Sequence, residues 1–103
     1  MTHDEAVKLE GEFFLVINKP EFKEGIEKGD PGGIFREWWS ERLGNDTLWL
    51  QELATISELV YAFNLISDLY SGKEFPMGGL PVGDVFNWGR ENMIRLLERG
   101  GYA

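Results

Sequence analysis

Chemistry in a small protein has to start from a proton-transfer group, a nucleophile or a convergent set of metal ligands. This chain offers few of them: it has one histidine and no cysteine. The absent thiols exclude disulfides, thiolate metal sites and cysteine nucleophiles. His3 stands at the N-terminal edge, where neither a Ser-His-Asp triad nor a His-rich metal site is readily built around it. Gly72-Lys73 lacks the earlier glycine and the following Ser/Thr of a phosphate-binding loop. Gly78-Gly79 and Gly83 follow no strand, so they do not make a dinucleotide fingerprint. The acids between Asp4 and Asp30 nowhere form the Asp-x-Asp-x-Asp-Gly pattern that wraps calcium. The expectation is a chain with no catalytic residues, no metal site and no cofactor.

One acidic pattern has regular spacing. Glu21, Glu24, Glu27 and Asp30 recur every third residue. This resembles the Glu-x-x-Glu and Glu-x-x-Asp pairs of all-α nucleotide pyrophosphohydrolases, which hold Mg²⁺ between pairs carried on different helices. Here the pairs are contiguous and overlapping, and Gly29-Asp30-Pro31 ends their helix, so one short segment would have to face itself. A solvated acidic face is the better reading, with Asp30 as a helix cap. The aromatic residues are the other candidates. Trp38, Trp39, Trp49 and Trp88 are many for so short a chain. Trp38 and Trp39 point about 100° apart on a helix; either both share a wide buried face, or Trp38 is a partly exposed anchor of the kind enriched at interfaces. Phe75, Met77, Leu80 and Trp88 could form one apolar patch, or the segment carrying the first three could cap the open end of the core.

These residues must be positioned by helices. Between 46 and 71 the chain has no Gly or Pro, and Trp49, Leu53, Ile56, Val60 and Phe63 recur at steps of three and four. A neighbouring stripe of Leu59, Ala62, Ile66 and Leu69 widens the apolar face beyond a two-helix seam, which predicts a central helix covered by several others. Ser57, Tyr61, Asn64 and Asp68 make its narrow polar stripe, expected at solvent or satisfied by Arg90 or Arg95. Thr2 and Glu5 match a capping box for a helix over about 3–17, with Val7, Phe14 and Ile17 on one face. The run Phe13 to Ile17 would also suit a strand, but one without a partner. Asn18 to Glu21 repeats the capping pattern for a helix over about 19–28, and Ile17 and Phe22 form a hydrophobic staple. Asp30-Pro31 opens a third helix ending at Gly44, with Ile34, Phe35, Trp38, Trp39 and Leu43 buried. Residues 72–83 are rich in Gly and Pro and read as an apolar loop. Asp84 then caps a last helix that stops at Gly100. The fold class is all-α: one domain over 1–103, a small bundle of four to five helices around the long central one.

Charge narrows the function. The net charge is −8. Eight acids against four lysines fall in residues 1–30, six against two arginines in 31–71, and four against four bases in 72–103. An acidic chain repels phosphate, so neither direct nucleic-acid binding nor adhesion to an anionic membrane is expected. The longest wholly apolar run, Phe13 to Ile17, is far short of the roughly 20 residues of a membrane span. The acidic start of the chain and the missing cysteines lead to the expectation of a cytoplasmic protein. The residues point to a non-catalytic, acidic protein-interaction module of the small inhibitor or immunity type, as among antitoxins, bacteriocin immunity proteins and phage-encoded anti-defence proteins. Its partner would be a protein with a basic surface, such as one that handles nucleic acid. The expected contact residues are Glu21, Glu24, Glu27, Trp38, Phe75, Met77, Leu80 and Trp88. The alternative is a homo-oligomeric assembly subunit, and a third reading is a carboxylate enzyme using a divalent metal.

Overall fold

The computed structural model describes residues 1–69 and 82–100, with side chains over 1–66 and 84–100. Five helices follow in order: α1 (His3–Ile17), α2 (Pro20–Lys28), α3 (Pro31–Leu43), α4 (Thr47–Leu69) and α5 (Val82–Arg99). No strand occurs among the described residues, and Phe13 to Ile17 complete α1 as helix. The expected loop at 72–83 lies outside them except for its last two positions. Those belong to α5, which starts two residues before Asp84, so Asp84 lies in the first turn and not at the cap.

Local chemistry sets most of the helix ends. The Glu5 backbone N–H donates to Thr2 Oγ1 at 3.2 Å, and that hydroxyl donates to Glu5 Oε1 at 3.1 Å. Asp46 Oδ1 accepts from the Trp49 N–H at 3.2 Å, satisfying a free donor at the start of α4. Gly44 ends α3 at φ 91° and ψ −158°, a conformation that essentially only glycine adopts. The start of α2 differs from expectation. Its cap position is Lys19, with no side-chain hydrogen bond. Asn18 instead donates to the Phe14 carbonyl at 2.8 Å and accepts from Asn64 Nδ2 at 3.0 Å. It ties the end of α1 to α4 rather than capping α2.

The helices close into a ring. α4 packs between α3 and α5, α5 also packs on α1, and α2 bridges α1 and α3. Phe13 of α1 crosses the interior, with its ring 5.6 Å from Phe35, 5.5 Å from Trp38 and 5.1 Å from Trp39. Each such aromatic pair contributes about 0.5–1.5 kcal/mol beyond the area it buries. Both tryptophans are inside: Trp39 is fully buried, and Trp38 keeps 9% of its surface with the Arg42 guanidinium stacked 3.9 Å over its ring. On α1 the buried positions are Ala6, Glu10, Phe13 and Ile17. Val7, expected inside, is 41% exposed. The buried positions Ala6 and Phe13 stand one residue before Val7 and Phe14, and Phe14 packs half-buried against Phe86 of α5. At about 1.5 Å per residue the 23 residues of α4 span roughly 34 Å. No described helix is long and apolar enough to cross a membrane.

The expected polar stripe of α4 is inverted. Ser57, Tyr61 and Asn64 are buried, and the side chain of Asp68 lies outside the described residues. Ser57 survives burial because its hydroxyl accepts from the Trp39 indole N–H at 2.6 Å and donates to the Leu53 carbonyl at 2.6 Å. Asn64 is held by Asn18. Arg90 serves none of them; it is committed to Glu10.

Candidate functional site

α2 carries the acidic face. Glu21, Glu24 and Glu27 fall within one exposed sector, while Ile26 on the opposite side is buried in the core. Glu24 accepts from Lys28 Nζ at 2.6 Å, one turn later, and both ends of that pair are open to solvent. Such a surface pair is worth a few tenths of a kcal/mol and leaves most of the local negative potential in place. Glu27 also reaches inward electrostatically. Burial pushes the Tyr61 hydroxyl above its usual pKa, and the charge of Glu27 raises it further.

The other expected contact residues divide. Trp38 sits in the core and has little surface to offer a partner. Trp88 is 52% exposed on α5. Phe75, Met77 and Leu80 lie outside the described residues, so the patch they were expected to share with Trp88 does too. Trp88 and the α2 carboxylates are not brought together: α2 lies across the ring from the α4/α5 seam.

That seam holds a groove of about 730 Å³, which the sequence reading did not single out. Leu48, Ile56 and Leu96 provide its apolar surface, and Arg95, Arg99 and Glu52 bring charge to it. Arg99 Nη2 donates to Glu52 Oε2 at 2.5 Å across the groove, neutralising both charges locally. The Trp49 indole N–H donates to the Leu96 carbonyl at 3.2 Å and holds the two helices in register underneath. Gly89 allows the close approach further along. A Cβ there would meet Val60 Cγ2 at 3.2 Å and Phe63 Cδ2 at 3.3 Å.

A second unanticipated feature is the bidentate pair of Glu10 with Arg90, at 2.5 and 2.8 Å. The Glu10 side chain is only 3% exposed, and the guanidinium also lies 4.4 Å over the Phe14 ring. The hydrogen bonds that Arg90 donates to Glu10 are the main cause of its raised pKa, partly opposed by desolvation. This is a structural clamp between α1 and α5. His3 pairs with Glu98, again joining α1 to α5 at the surface. Among the described residues no three His, Asp or Glu side chains gather as a metal centre would require. Comparison with known protein families, with curated proteins and with solved structures finds no match.

Proposed function

We propose that this chain is a non-catalytic, acidic interaction module of the small-inhibitor type, which binds a basic protein surface through α2. The observation that carries the reading is the disposition of Glu21, Glu24 and Glu27. All three project from one face of a short helix whose other face is anchored by Ile26, and among the described residues only Glu24 has a cationic partner. A net charge of −8 steers a basic partner toward these carboxylates.

The test is capture by a photo-crosslinking residue placed at Lys23, beside the acidic face, in the native host. A basic protein should be cross-linked to the parent chain, and Glu21→Gln, Glu24→Gln and Glu27→Gln together should abolish its capture. Capture that is unchanged in this triple variant, or is confined to acidic proteins, would remove the proposal.

A further inference from the structure

The surface across the ring from α2 has the opposite chemistry. On α5, Trp88, Asn92, Arg95 and Arg99 follow one another at steps of four, three and four, so they share one helix face. The Asn92 side chain donates to the Trp88 carbonyl at 2.8 Å, which fixes that turn. On α4, Leu48, Glu52, Thr55 and Leu59 do the same. The groove lies between these two faces, and Leu59 and Trp88 continue the same faces beyond its lining. Gly89 packs against Val60 and Phe63, which sets Trp88 in register with that part of α4. Leu48, in the groove lining, is 67% exposed, and Trp88 at 52% and Leu59 at 37% lie on the same two helix faces.

Its charge is the second observation. Glu52 and Arg99 cancel, which leaves Arg95 as a guanidinium without a carboxylate partner among the described residues. A free cation beside an apolar groove, on a chain of net charge −8, selects for an apolar ligand that carries negative charge. Trp and Arg are also the residue types that dominate binding energy at protein interfaces. Leu48 to Leu59, and Trp88 to Arg99, each extend about 16 Å, the length of three helical turns.

From these we infer that the α4/α5 seam docks an amphipathic helix of a partner protein. The helix is about three turns long, with apolar anchors along one stripe and an Asp or Glu placed to meet Arg95. Helix-in-groove binding uses anchors at steps of three and four over this span. A second copy of this chain fits less well. It would bring two bodies of charge −8 together, each contributing to the seam only Arg95 as a cation without a carboxylate partner among the described residues. The inference is independent of the acidic face of α2 and stands if that reading fails.

The experiment is selection from a display library of helix-forming peptides of about 16 residues, long enough for three anchored turns and their ends. Enriched peptides should carry apolar residues at i, i+4 and i+7 with a flanking Asp or Glu. Fluorescence anisotropy of an enriched peptide should show at least a tenfold loss of affinity with Trp88→Ala and with Leu48→Asp. Both side chains are exposed, and circular dichroism checks that the variants remain folded. Arg95→Glu should weaken the acidic peptide, and a Glu→Lys change in that peptide should restore its binding to Arg95→Glu. Enrichment of basic peptides, or affinity indifferent to both Trp88→Ala and Leu48→Asp, overturns the inference. So does a concentration-dependent dimer in light scattering that Leu48→Asp dissolves, because the occupant is then a second copy.

Discussion

Ser57 and Tyr61 are buried one turn apart on α4, and they make opposite predictions. The Ser57 hydroxyl is the acceptor for the Trp39 indole, which is itself fully buried. Ser57→Ala leaves that N–H without a partner, and an orphaned buried donor costs about 1–3 kcal/mol. Chemical denaturation should therefore show a lower midpoint with an unchanged slope. The Tyr61 hydroxyl is buried with no hydrogen-bond partner among the described residues. Tyr61→Phe removes an unsatisfied group and should change stability by less than about 1 kcal/mol, in either direction. The same residue gives a pH dependence with a definite sign. Its pKa is raised in the folded chain, so the folded state holds the phenolic proton more tightly than the unfolded one. The resulting stabilisation is complete below the ordinary tyrosine pKa and is lost as pH rises through the higher folded value. Thermal unfolding between about pH 9 and 11 should show a steeper alkaline decline for the parent than for Tyr61→Phe.

Between elements, the clamp from α1 to α5 gives the sharpest test. Arg90→Met strands the buried Glu10 carboxylate and should cost about 3–5 kcal/mol, whereas Glu10→Gln strands an Arg90 that is 31% exposed and should cost less. Glu10→Leu with Arg90→Met removes both charges together and should recover most of that loss, which a double-mutant cycle would measure. Gly44→Ala forces a side chain into backbone reserved for glycine and should cost about 1–3 kcal/mol at the α3–α4 turn. These elements also show what a sequence can reveal. The helices, the Gly44 stop and the burial of Trp49, Leu53 and Val60 follow from local periodicity and capping, and they were legible. The inverted stripe was not. A period rule sends Ser57, Tyr61 and Asn64 to solvent because their types are polar. Two of the three are rescued by partners elsewhere in the chain, Trp39 and, for Asn64, Asn18, which lies 46 residues away. Glu10 and Arg90 are 80 residues apart, beyond any spacing rule. The acidic face of α2 was legible because three carboxylates within one helix need no tertiary information. The groove was not, since it exists only where Leu48 and Ile56 of α4 meet Leu96 of α5.

For the whole molecule the dominant long-range quantity is its charge of −8. Compacting that many like charges raises the energy of the folded state, and dissolved salt relieves the repulsion. Raising the salt concentration from low millimolar to about 0.5 M shortens the screening length from tens of ångströms to a few. The parent melting temperature should therefore rise with salt. Replacing Glu21, Glu24 and Glu27 by Gln removes three charges from exposed positions while the buried side of α2 keeps Ile26. At low salt the triple variant should melt at the same temperature as the parent or higher, and it should gain less from added salt. Losing the Glu24–Lys28 pair subtracts only a few tenths of a kcal/mol. A triple variant that melts well below the parent would mean that these carboxylates hold the fold, and their loss could then no longer be read as loss of a binding face. If stability is kept while capture of a basic partner is lost, the acidic face acts outward. That outcome would separate the contribution of charge to association from its small and unfavourable contribution to folding.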